Sequence, residues 1–354
     1  MLLALWALPL VPRAAPAAAQ ERWIRPADVH APPVWGIRGG IVFSLWPDDL
    51  ETGWPRTRPR PRGLIRIGRE QAGMVYLINF VAVEPVVDGK MEFSEISPSR
   101  VDGQWGKLMW AGDAPEPGAY APHAITRGTV THPDPSDPAV EELSLYVFME
   151  PFANGAHPYL RLSIRSDRPD EIGFQVFDHD GSAPMQRCTL TATMGNYARA
   201  RLLHLRDGVI DARELYAGFD GIGFVEKDPY PADAMQRTPD GDLIAAIAGD
   251  EPFEALASWP QTAPYRQRWG WRWRPFFKVA QYWRKPAGDA DASLQVRVNG
   301  RAKYWATGSR DPADYVDIPG GVAFENFELR QDYRPGQTFH FGITRKTPEE
   351  LIAP

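Results

Sequence analysis

Cysteine is almost missing from this 354-residue chain, in which Cys188 stands alone. It can form no internal disulfide, so the fold must be held by a large core rather than by cross-links. Its surroundings, QRCTLTATM, are apolar, which reads Cys188 as packing rather than as a nucleophile. Histidine is scarce too, with seven residues and neither a His-x-His nor a His-Glu-x-x-His pattern. A transition-metal centre therefore has no signature. No Gly-x-Ser-x-Gly elbow and no phosphate loop occur, which argues against Ser/His/Asp hydrolase and nucleotide chemistry. An excess of positive charge is also lacking: the formal net charge is −6, whereas a nucleic-acid protein is usually basic. Past the first residues, no apolar run approaches the ~20 residues of a bilayer span.

The first residues, MLLALWALPLVPRAAPAAAQ, hold an apolar run from Leu2 to Val11 and then Ala17, Ala18 and Ala19. This pattern reads as a secretory signal cleaved after Ala19, although Arg13 follows the run instead of preceding it. The expected location is secreted or periplasmic. The mature chain, from residue 20 to 354, is expected to be soluble, with no membrane span.

Strand-like runs fill the rest, among them MVYLINFVAVEPVV (74–87), ELSLYVFME (142–150), YLRLSIRS (159–166), IGFQVFD (172–178) and VAFENFELR (322–330). Period-two alternation and β-branched or aromatic residues dominate them. Turn pairs separate the runs: Asp88-Gly89, Asp180-Gly181, Asp207-Gly208 and Asn299-Gly300, the last the clearest hairpin. Helical periodicity is confined to 196–208 and the short DDLETG, and 228–242 reads as a long loop. The expectation is one all-β domain over 20–354, a large β-sandwich of mostly antiparallel strands with long loops.

Thirteen tryptophans stand out, and four of them crowd YRQRWGWRWRPFFKVAQYWRK (265–285) among seven cations. On an extended strand Trp269, Trp271 and Trp273 share a face. With Tyr282 and Trp283 they make a candidate sugar platform, since indole planes suit the C–H faces of sugars. Neighbouring cations suit carboxylates or sulfates on the same polymer. The same indoles could equally be core.

Two segments near the ends, GGIVFSLWP (39–47) and FELRQDYRPGQTFHFGI (327–343), resemble the opening and closing strands of the galactose-mutarotase-like β-supersandwich superfamily. The resemblance implies a carbohydrate-active protein: an aldose epimerase, a polysaccharide lyase or a glycosidase. Epimerases of this type use a mid-chain His as acid and a late Glu as base, for which His179 and Glu325 are the nearest positions. The surrounding FDHDGSAPM and AFENFEL differ from the epimerase motifs.

The residues themselves offer four candidate groups. Asp178, His179 and Asp180 end an apolar strand beside a glycine turn; His179 between two carboxylates could have a raised pKa, or Asp178 and Asp180 could bind Ca2+. No other cofactor is indicated. Glu84 ends a very apolar strand, where desolvation suits a general acid. Strict alternation sets Glu325 on a face with Ala323, Phe327 and Leu329, and Glu328 on the other, which makes Glu325 the better catalytic carboxylate. Tyr197, Arg199, Arg201 and His204 are a set suited to β-elimination: the arginines neutralise a uronate, and Tyr or His moves protons. Glu226 and Tyr230 could rim a cleft. The leading reading is a secreted enzyme cleaving glycosidic bonds of a poly- or oligosaccharide, as a glycoside hydrolase or a polysaccharide lyase. As a hydrolase it would draw its carboxylate pair from Glu84, Asp178, Glu226 and Glu325. The alternatives are a non-catalytic glycan-binding or envelope protein and an aldose-epimerase-like enzyme.

Overall fold

Pro158–Arg165, PYLRLSIR, alternates buried and half-buried residues at every step, sending Leu160, Leu162 and Ile164 into a core. The same period repeats along the chain and builds two antiparallel sheets. The computed structural model describes residues 21–28, 31, 33–45, 51–52, 62–71, 73–116, 126–193, 195–250, 266–267, 271–273, 279–304, 311, 313 and 315–353.

Among these residues the first sheet has 12 strands. Its path runs Trp23–Ile24, Val34–Ile37, Ile41–Leu45, Leu64–Gln71, Met74–Val87, Arg187–Thr193, Ala323–Arg330, Gln295–Arg301 and Val225–Glu226. The second has 11 strands and runs Gly208–Asp211, Ala200–Leu205, Leu243–Gly249, Ala280–Lys285, Gln337–Thr344, Glu171–Asp178, Pro158–Arg165, Glu142–Met149 and Met109–Gly112. The inner faces share one continuous apolar cluster, from Trp35, Phe43 and Val83 on the first sheet to Phe174, Trp283 and Phe341 on the second. The molecule is a large β-sandwich, as the alternation predicts.

Asp88-Gly89 is the tight turn read from the sequence, with φ of 48° and 72°, the left-handed pair such hairpins need. Asn299-Gly300 is not a turn. Gln295–Arg301 runs straight through it, with a bulge against Ala323–Arg330. A Cβ on Gly300 would lie 2.7 Å from the Tyr216 ring, so glycine is there for close approach. The helix expected over 196–208 is a 3-10 turn, Gly195–Ala198, followed by the strand Ala200–Leu205. Ala200, Leu203 and Leu205 join the core, and pairing with Leu243–Gly249 overrides local helical preference. That partner strand, LIAAIAG, is rich in alanine and carries little strand signal. The stretch read as a loop over 228–242 holds two-residue strands at Tyr230–Pro231 and Gln236–Arg237. Of DDLETG, Glu51–Thr52 is extended and pairs with Arg266–Gln267.

On the four central strands of the first sheet, alternation sends Val83, Leu190, Phe327, Leu329, Val296 and Val298 inward. Their neighbours Glu84, Thr189, Thr191, Glu328, Arg330 and Arg297 therefore stand on the opposite face.

Candidate active site

Register brings this polar set together. Glu84 opposes Thr189, Thr191 opposes both Ala82 and Glu328, and Glu328 opposes Arg297. Glu328 is 1% exposed and is held by Arg297 through Nε at 2.8 Å and Nη2 at 2.7 Å. A two-pronged guanidinium bond of this kind is built for a carboxylate anion. Arg297 Nη1 also lies 3.9 Å from the exposed Glu226.

Glu84 is different. It is 2% exposed, and its Oε2 is buried without a hydrogen-bond partner among the described residues. Burial first, then the charges of Glu328 and Glu95, push its pKa well above the ordinary carboxylate range. Thr191 and Arg297 oppose this with smaller effect. Glu95 reaches the group from the turn after Lys90–Met91. Ser94 pins that turn, donating its backbone N–H to Val83 O at 3.0 Å and accepting from Val83 N at 2.9 Å. Burial raises Glu95 to about 7, with Glu328 adding to the effect. Arg297 thus clamps Glu328, while burial and the neighbouring carboxyls favour the protonated form of Glu84.

Glu325 sits elsewhere. The bulge interrupts the alternation, so Phe324 joins Phe327 and Leu329 in the core, and Glu325 is buried beside the charge of Arg301. Its pKa is raised to about 7 by burial, whereas the charges that act most on Glu84 are those of Glu328, Glu95 and Arg297.

Asp178 accepts a hydrogen bond from the Tyr333 hydroxyl. His179 packs its ring 4.1 Å from His157 and 4.7 Å from Tyr159. Burial, then His157, lower its pKa to about 4, outweighing Asp178 and Asp180. The raised pKa expected for His179 is corrected: it is a neutral ring in an aromatic cluster. Among the described residues no group of three or more His, Cys, Asp or Glu is placed to hold a metal ion.

His204 is 7% exposed, with Nδ1 3.4 Å from Glu349 of the helix Pro348–Ile352. It cannot act with His179, because three strands separate theirs in the second sheet, roughly 19 Å at about 4.8 Å per strand. The structure also corrects Arg201 as a substrate contact: fully buried, it bonds Asp250 at 2.9 Å and the carbonyls of Val322 and Pro319. Arg199 is buried at φ 48° just before Ala200–Leu205. The side chain of Tyr197 lies outside the described residues.

Of the tryptophan platform, Trp269 and the side chains of Trp271 and Trp273 lie outside the described residues. The Trp271–Trp273 backbone pairs in parallel with Val75–Leu77. Trp283 is core, 0% exposed, and its Nε1 donates to Phe327 O at 2.8 Å. Tyr282 is buried with its hydroxyl 3.2 Å from Glu171. Trp283 has no free face for a sugar, and Tyr282 reaches the surface only at a cleft edge with its hydroxyl held by Glu171, which corrects that expectation. Tyr282 borders a cleft of about 390 Å3 over the buried Glu171–Arg284 pair. The charges at its base are already matched, since Arg284 also bonds Asp242.

Sequence reasoning ranked Glu328 below Glu325 and missed Glu95 and Arg297. The alternation of LQVRV, with Arg297 between two inward valines, was the available signal for the second.

No family model matches the chain, and no curated protein matches it. Among solved structures, the chain is similar to a crystal structure described as a "putative mutarotase" (YeaD) from Salmonella typhimurium. The identity is 12%, with 84% of this chain and 97% of that one covered and a TM-score of 0.22.

Proposed function

We propose that the chain is a secreted carbohydrate-active enzyme that hydrolyses glycosidic bonds, with Glu84 as general acid and Glu328 as its anionic counterpart. The observation that carries this reading is the contrast between two neighbouring carboxyls, one proton-holding by burial and one clamped by Arg297. Pairs whose surroundings push protonation apart divide the labour of acid and anion. Glu84 gives its proton to the departing glycosidic oxygen. The Glu328 carboxylate meets the positive charge that develops at the anomeric carbon, and water adds there as it loses a proton to the Glu84 carboxylate, which restores the acid. Hydrolysis is favoured over β-elimination because Arg201, one of the two arginines offered for a uronate, is fully buried against Asp250 and the carbonyls of Val322 and Pro319.

The test is a screen of the purified protein against neutral and acidic polysaccharides, following reducing ends and the ultraviolet absorbance of an unsaturated uronate. Reducing ends without absorbance are expected. Glu84→Gln should then lose about 100- to 10,000-fold in kcat. Both signals together would mean elimination instead, and retardation on a glycan gel with neither signal would mean a binding protein.

A further inference from the structure

Arg330 extends the same polar face, and its surroundings differ from those of its neighbours. Leu190 opposes Leu329, and Arg187 bridges Asp332. This register sets Arg330 opposite Thr189, which itself opposes Glu84. Arg330 therefore stands two strands from Glu84, roughly 10 Å at about 4.8 Å per strand, and two residues along from Glu328 on the same face.

Two neighbouring guanidiniums on this face have carboxylates: Arg297 holds Glu328, and Arg187 Nη2 is 3.5 Å from Asp332. Half-buried Arg330 has none within ion-pair distance among the described residues. Its one hydrogen bond is from Nε to the neutral Gln295 Oε1, at 3.1 Å. Burial, then repulsion from Arg297, lowers its pKa, with the charge of Glu328 opposing. A guanidinium presents a planar fork of donors matched to carboxylate and sulfate oxygens.

We propose that Arg330 is a specificity-determining residue that receives the carboxylate or sulfate of a sugar unit neighbouring the bond cleaved, so that the substrate is an acidic oligo- or polysaccharide. The inference rests on the hydrolase reading of the Glu84–Glu328 pair.

Binding tests it apart from turnover. Kd is measured by calorimetry for a panel of uronate hexasaccharides, their methyl esters and sulfated hexasaccharides, on the otherwise intact Glu84→Gln protein. An acid should bind about ten- to a hundredfold more tightly than its uncharged ester, the worth of one charge-assisted bond. That preference should vanish in the added Arg330→Gln variant and return in part in Arg330→Lys. A preference for the sulfated chain alone identifies the anion as sulfate; one for the uronate alone identifies carboxylate. Equal binding of acid and ester, or a preference that survives Arg330→Gln, overturns the proposal. If the preference holds but the unmutated protein cleaves nothing, the hydrolase reading fails and the anion contact stands. If cleavage depends on Glu84 without any Arg330-dependent preference, only the anion contact fails.

Discussion

Glu84 and Glu325 were both legible as carboxyls in apolar strands, but only the register tells them apart. Glu84 faces Glu328 and Arg297, whereas Glu325 is displaced by a bulge that alternation alone does not announce. His179 shows the opposite failure, because its flanking aspartates are visible in the sequence and the aromatic rings that bury it are not. Two predictions belong at this scale. Activity should fall as pH rises through the raised pKa of Glu84, because the acid must be protonated to act; a kcat/KM profile checks this, and a flat basic limb would remove Glu84 from the role. Stability has the same sign. Glu325 ionises near 4.5 when unfolded and near 7 when folded, so the folded state binds more protons across that window. The contribution of this group to stability should therefore be largest below about pH 4.5 and be lost as pH rises to about 7, by on the order of 3 kcal/mol. Urea unfolding of Glu325→Gln should show a flatter pH dependence over that window than the parent.

At the level of strands, alternation was the reliable signal and pair chemistry the unreliable one. Pro158–Arg165 keeps its period at every step and was readable; Leu243–Gly249 is buried on both faces, with alanines in place of β-branched residues, and was not. Asn299-Gly300 carries the usual hairpin pair, yet tertiary packing uses the glycine to admit Tyr216, whose hydroxyl bonds Val298 O at 2.9 Å. Gly300→Ala should therefore destabilise by about 1–3 kcal/mol through overpacking, read as a lower urea midpoint. Tyr216→Phe keeps the ring and should not relieve the clash. Unchanged stability in Gly300→Ala would mean that the strand runs farther from that ring than 2.7 Å.

For the whole molecule, two large sheets around one core explain how a chain with a single cysteine holds together without cross-links. The free thiol is fully buried between them, so no cross-link is needed. Trp283 is a sensitive point of that core, its ring tilted against Phe341 at 4.9 Å and Phe174 at 6.0 Å. Replacing it with alanine should cost about 3–5 kcal/mol, whereas Trp283→Phe should fold and keep its affinity for sugar, since the indole touches no open surface. Glycan gels run on Trp283→Phe separate the two roles that the sequence left open. Retardation equal to that of the parent protein keeps Trp283 in the core alone. A selective loss of retardation in a protein of normal unfolding midpoint would return this indole to a sugar platform, and would require the core around it to open when glycan binds.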